Sequence, residues 1–224
     1  MGNRQQGIAR VARSRKEART TYDKMSRYYD FLAGSSELKY ERIGLQNLNI
    51  QKGENVLEIG FGTGQCLPAL AQLVGDSGTV YGIDISTGML NSALGRMRKA
   101  GVLNRVKLVT GDGFNLPFKA HVFDVVFMSF TLELFDTPEI PVVLSECGRV
   151  LRKGGRIGVV AMSKKGSPSV MVNLYEWAHK MLPRYVDCRP IYVQEALRDA
   201  NFSVVEGMVL SMWGLPVEIR VAQT

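Results

Sequence analysis

The sequence predicts an α/β fold in which a mostly parallel sheet carries helices on both faces. From about residue 53, short apolar runs rich in β-branched residues alternate with longer amphipathic runs, and Gly and Pro lie between them. Two of the apolar runs, VVFMSF and IGVVAM, are almost continuously hydrophobic, which is typical of strands buried on both faces. Strands that alternate with helices in this way favour a parallel sheet, because each crossover places a helix over it.

Seven strands and five helices are predicted in order along the chain. The strands are expected at Asn55 to Gly60, Thr79 to Asp84, Val106 to Thr110, Phe123 to Ser129, Arg156 to Met162, Ser203 to Leu210 and Pro216 to Ala222. The helices are expected at Ser36 to Leu48, about 64–74, 87–100, 138–152 and Val193 to Ala200. Ser86 and Thr137 are predicted as N-caps, with Pro138 at a first helical position.

Length and composition predict one globular domain. The chain has 224 residues, of which 46% are hydrophobic and 22% charged, so it can bury a core of its own. No apolar run reaches the roughly 18 to 20 residues that cross a bilayer, and the N-terminus lacks the apolar segment of a secretory signal. We therefore expect a cytoplasmic protein. The three cysteines form no metal-ligand spacing, so no metal site is predicted.

Most of the formal net charge of +7 comes from an N-terminal basic arm. Residues 1–19 contain six basic residues and one acid, Glu17. Such an arm could contact an anionic membrane peripherally, or it could be a solvated terminus; we expect no nucleic-acid partner. The predicted organisation is a basic arm with an aromatic helix at 1–35, followed by a main domain at 36–224. Within that domain, 163–190 is a candidate substrate-covering insert.

The loop at 58–64, with the sequence EIGFGTG, is the strongest functional signal. It ends the first predicted strand and opens a helix, at the place where α/β sheets bind ligands. Its spacing is G-x-G-x-G, and Gln65 stands where a dinucleotide-binding loop has its third glycine. The carboxylate of Glu58 at this loop would repel a pyrophosphate and attract a cation. The loop therefore favours a cationic ligand.

Two further carboxylates follow the next two strands. Asp84 ends the second strand about 20 residues beyond the loop, where an acidic side chain accepts hydrogen bonds from ribose hydroxyls. Asp112 follows the third strand, where it can accept from an adenine amine while Phe114 or Leu116 lies against the base. Each residue also has a structural interpretation, Asp84 at a helix N-terminus and Asp112 in a turn. Together, their order at successive strand ends indicates a nucleoside site.

With these motifs the sequence resembles the class I S-adenosylmethionine-dependent methyltransferases over about residues 50–162. Residues 123–126 match the family's fourth strand, and 149–156 match the Gly-Gly turn before its fifth. The resemblance implies a Rossmann-like, seven-stranded, mostly parallel sheet whose last strand is antiparallel, with helices on both faces. It implies S-adenosylmethionine as cofactor and S-adenosylhomocysteine as product. The implied cofactor-binding residues are Glu58, Gly60, Phe61, Gly62, Thr63, Gly64, Asp84, Ile85, Met89, Gly111, Asp112, Gly113, Phe114, Ser129 and Phe130, joined by Tyr22 and Tyr29 ahead of the domain.

The acceptor is expected to be a small or lipid-like molecule. The fourth strand ends in Met128-Ser129-Phe130-Thr131 and lacks the N/D-P-P-Y/F motif of enzymes that methylate base amines. The residues ahead of the domain and the GDGFNLPF turn resemble the ubiquinone and menaquinone C-methyltransferases and the small phospholipid N-methyltransferases. The quinone enzymes tend to carry Arg-Asn just after this point, where 132–135 reads LELF. Both acceptor classes stay open.

A carbon or oxygen acceptor needs a base, and the candidates are His179, Glu133 and His121. Two other functions remain as alternatives. A nicotinamide-dependent oxidoreductase is disfavoured by Glu58 and Gln65. A module that binds the cofactor but catalyses no reaction would have the same loop sequence. The sequence predicts no oligomeric state.

Overall fold

A computed structural model of the chain describes residues 8, 10–11, 14–26, 34–165 and 189–224. Seven strands form one sheet. They are β1 (Asn55–Ile59), β2 (Thr79–Asp84), β3 (Val106–Thr110), β4 (Phe123–Ser129), β5 (Leu151–Met162), β6 (Ser203–Met212) and β7 (Leu215–Gln223). Every predicted strand is present, and β5 begins earlier than expected.

The strand order is β3-β2-β1-β4-β5-β7-β6. The pairs β1–β2, β2–β3, β1–β4 and β4–β5 are parallel, whereas β7 is antiparallel to both β5 and β6. The predicted fold class, with its antiparallel last strand, is confirmed. The order reverses between β1 and β4, so a crevice opens there outside the carboxyl ends of the strands.

Six α-helices surround the sheet in the described ranges. They are α1 (Arg15–Met25), α2 (Gly34–Asn47), α3 (Leu67–Val74), α4 (Thr87–Ala100), α5 (Ile140–Val150) and α6 (Val193–Asp199). Short 3-10 turns lie at Leu103–Arg105 and Leu132–Leu134. The predicted N-cap of α4 is confirmed, because the Ser86 hydroxyl accepts a hydrogen bond from the Met89 N–H at 3.1 Å.

Two predicted helix starts are wrong. Glu139, and not Thr137, is the N-cap of α5, and the proline in the first turn is Pro141 instead of Pro138. The Thr137 hydroxyl instead accepts a hydrogen bond from the Arg189 guanidinium at 3.0 Å, and a turn from Asp136 to Glu139 precedes the helix. The helix expected from residue 64 begins at Leu67, because Gly64 has a φ of +81° that an α-helix cannot contain.

Both faces of the sheet are buried. One core layer joins it to α2, α3 and α4 through residues such as Leu48, Leu70 and Met97. The other joins it to α5 and α6 through residues such as Leu144 and Leu197. This double coverage explains the unbroken hydrophobicity of the central strands.

The N-terminal segment docks on the domain through α1. Ser14 and Glu17 form a capping box, in which each side chain accepts from the other's backbone N–H. Near the other end of α1, the Asp23 carboxylate accepts from the Ser86 hydroxyl at 2.6 Å and from the Gly88 N–H at 2.9 Å. The arm is therefore fixed to the start of α4. The boundary at residue 35 stays a prediction, and most of the insert predicted at 163–190 lies outside the described residues.

Among the helices that the structure describes, none has the length and apolar character needed to span a membrane.

Candidate active site

A cavity of about 290 Å³ opens at the carboxyl ends of β1 to β4. It lies at the crevice that the strand order creates, where ligands of α/β sheets bind. The predicted cofactor residues found in its wall are Tyr22, Glu58, Gly60, Phe61, Gly62, Thr63, Asp84, Ile85, Met89, Gly111, Asp112, Gly113, Ser129 and Phe130. The structure thus brings predicted residues from five separate segments of the chain to one place.

The glycine loop needs its glycines for different reasons. Gly60, Gly62 and Gly64 all have left-handed φ values, of +72°, +53° and +81°. A Cβ atom at Gly60 would lie 2.4 Å from the Thr131 side chain, and one at Gly64 would lie 2.9 Å from the Cβ of Ala93. A Cβ at Gly62 would meet nothing within 4 Å. Gly60 and Gly64 therefore permit close packing behind the loop, and Gly62 leaves its ligand-facing side open.

Asp84 holds the loop to the second strand. One carboxylate oxygen accepts from the Gly62 N–H at 2.9 Å and the other from the Ser86 N–H at 2.8 Å. The residue is 8% exposed, and burial raises the pKa of Asp84 to about 6 against the lowering effect of these N–H groups. Its carboxylate is therefore oriented before any ligand binds, and it is ionised only above about pH 6.

We expect the affinity for S-adenosylhomocysteine to fall as the pH drops through about 6. The protonated Asp84 carboxyl is neutral and is a weaker acceptor for ribose hydroxyls, and burial raises the pKa of Glu58 as well. If only the ionised form binds, affinity falls by up to about tenfold per pH unit below the pKa. Calorimetric titrations between pH 7.5 and 5 measure this change, and an affinity that stays constant over that range would contradict it.

Glu58 lies inside the cavity wall instead of at an exposed lip. It is 3% exposed, and its pKa is raised well above the usual value by burial, then by the charges of Glu41 and Asp84. Its Oε2 atom has no hydrogen-bond partner among the described residues. A buried carboxylate of this kind is satisfied best by a cation.

The third strand leads into a turn that the N-terminal helix covers. The Asp112 carboxylate accepts from the Phe114 N–H at 3.0 Å, and its other oxygen lies 3.1 Å from the Arg15 guanidinium. Arg15 also lies 4.2 Å from the centroid of the Phe114 ring and pairs with Glu139 at 2.7 Å. The turn predicted to hold adenine is therefore bounded by a cation from α1.

Arg10 makes a second contact between the arm and the mouth of the cavity. Its guanidinium donates to both oxygens of the Asp136 carboxylate, and Val11 N–H donates to the same group. The Arg10 hydrogen bonds, opposing the effect of burial, lower the pKa of Asp136 to about 2. Arg10 and Arg15 of the arm thus form ion pairs with acids of the cavity wall. The sequence reasoning missed this role, although the Ser14–Glu17 capping box was a visible signal for a helix there.

Not every predicted site residue lines the cavity. Gly64 packs behind the loop, and Phe114 lies beside the wall under Arg15. Tyr29 and His179 lie outside the described residues. Their contacts with a cofactor or acceptor, like those of the residues in the wall, stay predictions.

The structure places the other two base candidates away from the cavity. His121 precedes β4, at the amino ends of the strands, and its Nδ1 lies 3.0 Å from the Leu151 carbonyl oxygen. Glu133 is fully buried, and its carboxylate accepts from the Met162 N–H at 3.1 Å. That bond ties the turn after β4 to the end of β5. Neither residue is part of the cavity wall, and their role as a base stays a prediction.

The chain was compared with known proteins. Residues 56–155 match a family described as a methyltransferase domain. A demethylmenaquinone methyltransferase of Geobacillus sp. (strain WCH70) is 35% identical over 136 residues, which are 61% of this chain and 56% of the relative. The match therefore spans less than two thirds of that relative's length.

Solved structures share the architecture across nearly the whole chain. A SAM-dependent methyltransferase from Aquifex aeolicus has a TM-score of 0.64 and 23% identity, covering 91% of this chain and 97% of its own. The cyclase SpnF has a TM-score of 0.76 and 18% identity, covering 97% of this chain and 98% of its own. At such identities these likenesses show the fold alone, since one fold serves several chemistries. The family match confirms the resemblance inferred from the sequence.

Proposed function

We propose that this chain, a class I S-adenosylmethionine-dependent methyltransferase, binds S-adenosylmethionine and transfers its methyl group to a quinone-like acceptor. The observation that carries the proposal is the acidic wall of the cavity around the glycine loop. The carboxylates in that wall are Glu37, Glu41, Glu58, Asp84, Asp112, Asp136 and Glu139, and Arg15 is the basic residue among them. Such a wall suits a ligand with positive charge and disfavours a diphosphate.

The residues of the wall fit the parts of S-adenosylmethionine. The unpartnered carboxylate oxygen of Glu58 can meet a positive charge, and the open space beside Gly62 allows close approach to the main chain. Asp84 can accept from ribose hydroxyls while its backbone partners keep it in place. When bound, this cofactor supplies a methyl group already activated on a sulfonium sulfur.

The protein's own contribution is then alignment and exclusion of water. The strand ends hold the nucleoside side of the cavity, while α1 and its ion pairs cover the mouth. Holding the methyl donor and the acceptor in line supplies much of the rate enhancement of such a transfer. A carbon acceptor must also lose a proton, and the candidate bases are His179, Glu133 and His121, of which the latter two lie outside the cavity wall.

A quinone-like acceptor is supported by the name of the relative that is 35% identical, a demethylmenaquinone methyltransferase. A phospholipid amine is the second candidate, because the 132–135 segment, LELF, departs from the quinone pattern. The oxidoreductase alternative is not favoured, since the family match is to a methyltransferase domain and Glu58 faces the cavity.

We further propose a cytoplasmic enzyme that contacts anionic membranes peripherally. An amphipathic acceptor would be met at a lipid surface, and Lys16 is an exposed cation on α1. The ion pairs of Arg10 and Arg15 leave less of the basic arm for lipid than its sequence suggests.

We expect isotope from the labelled methyl group of S-adenosylmethionine to enter demethylmenaquinol and not phosphatidylethanolamine. Both acceptors would be supplied in phosphatidylcholine vesicles, with and without anionic phosphatidylglycerol, and products would be identified by mass spectrometry. Faster transfer in the anionic vesicles is the expected sign of peripheral contact. Asp84→Ala is the matched control that should lose transfer to either acceptor.

Label in phosphatidylethanolamine alone would replace the quinone acceptor by the phospholipid one. Oxidation of NADH without methyl transfer would refute the methyltransferase proposal. Equal rates in the two vesicle types would remove the membrane contact and leave the acceptor assignment intact.

A further inference from the structure

A second, half-buried carboxylate lies beside Glu58 in the cavity wall. Glu41 comes from α2, a helix outside the 56–155 segment that matches the methyltransferase domain. Both residues line the cavity, and the thiol of Cys66 lies within hydrogen-bonding reach of both carboxylates. Glu41 and Glu58 therefore form a pair of acids on one side of the cavity, with the Cys66 thiol near both and the Ser129 hydroxyl near Glu41.

Each acid of the pair has one oxygen that no described residue satisfies. Oε2 of Glu41 and Oε2 of Glu58 are buried and have no hydrogen-bond partner among those residues, and Glu58 is 3% exposed. The charge of Arg96 lowers the pKa of Glu41, to a smaller extent than the hydrogen bonds of Cys66 and Ser129 do, and its guanidinium donates to the Thr63 carbonyl oxygen at 3.1 Å.

Burial raises the pKa of both carboxyl groups, and the charge of Glu41 raises the pKa of Glu58 further, because like charges in a desolvated site repel each other. A protein keeps such an arrangement at a cost in stability, which a bound cation would remove. The two unpartnered oxygens can therefore accept hydrogen bonds from a cationic ligand in the cavity.

We propose that Glu41 binds the ammonium group of the methionyl end of the cofactor together with Glu58, as a cofactor-binding residue contributed by α2. This inference rests on the proposed function, because it takes S-adenosylmethionine as the ligand. An ammonium group has three N–H donors and so can satisfy both unpartnered oxygens at once. Asp84 is the next carboxylate along the wall and acts on Glu58, which fits a nucleoside end lying beside the methionyl end.

The test compares two ligands that differ only in the methionyl end. S-adenosylhomocysteine carries the ammonium, whereas 5′-methylthioadenosine has the same nucleoside and a thioether without it. Calorimetry would measure both ligands with the unmodified protein, with Glu41→Gln and with Glu206→Gln. Glu206 is exposed on β6, so its substitution is a charge-matched control away from the cavity.

Glu41→Gln should weaken S-adenosylhomocysteine binding by about tenfold or more, the loss expected for a charged hydrogen bond, and leave methylthioadenosine unchanged. Glu206→Gln should change neither affinity. Because the substitution also removes a repulsion, the melting temperature without ligand should stay the same or rise, while the shift produced by S-adenosylhomocysteine should shrink.

Other outcomes would overturn the inference. Equal losses for both ligands would show that Glu41 only shapes the cavity. Unchanged binding of both would show that the ammonium lies elsewhere. If the unmodified protein bound neither ligand, the proposed function itself would fail, and that result is distinct from either of the others.

Discussion

Asp84→Ala should weaken the binding of S-adenosylhomocysteine by about a hundredfold. The change removes a buried carboxylate that is aligned to accept from ribose hydroxyls, and charged hydrogen bonds of this kind contribute about 1.5–3 kcal/mol each. It also frees the Gly62 N–H, so the glycine loop loses its link to β2. Calorimetry at pH 7.5 measures the loss directly.

The matched control for this prediction is Asp76→Ala. The Asp76 side chain is fully exposed and pairs with Arg105 at 3.4 Å, a surface contact of little expected effect. Its substitution should leave affinity and melting temperature nearly unchanged. If Asp84→Ala bound S-adenosylhomocysteine as tightly as Asp76→Ala, the nucleoside site would have been assigned to the wrong strand end.

Gly60→Ala should lower the free energy of unfolding by about 2–4 kcal/mol and remove most cofactor binding. The left-handed φ of +72° costs a residue with a Cβ about 1–2 kcal/mol, and the new atom would lie 2.4 Å from the Thr131 side chain. Thr131 is buried and donates a hydrogen bond to the Ser129 carbonyl oxygen at 2.8 Å, so it cannot move away freely. Urea denaturation measures the stability of the variant.

Gly101→Ala separates the two causes. Gly101 has a similar φ of +69°, but a Cβ there would meet nothing within 4 Å. We therefore expect a loss of only about 1 kcal/mol, from backbone conformation alone, and unchanged cofactor binding. Equal losses at the two glycines would show that the contact with Thr131 has no energetic consequence.

The parts of the fold that sequence analysis predicted are those that depend on nearby residues. The central strands were found from continuous apolar runs, and Ser86 was found as a cap because its partner lies three residues away. The glycine loop and Asp84 were visible because glycine spacing and a strand-end acid are local patterns. In the structure, the residues of the glycine loop and Asp84 lie together in the cavity wall.

The parts that could not be predicted depend on contacts between distant residues. The Thr137 hydroxyl does not cap α5. It accepts a hydrogen bond from Arg189, which lies 52 residues further along the chain. Arg10 of the basic arm reaches Asp136, 126 residues away, which charge counting cannot reveal. No sequence pattern distinguishes Glu41 from the other residues of its helix. The packing of α2 brings it beside Glu58.

The position of β7 between β5 and β6 has a consequence for synthesis on the ribosome. β5 pairs with β7 along residues 156–162, so this apolar strand has one side unpaired until residues 215–223 have been translated. β6 has no partner other than β7 in the described sheet, so it too must wait. A nascent chain in that interval exposes an open strand edge, which is the feature that chaperones protect and that aggregation exploits.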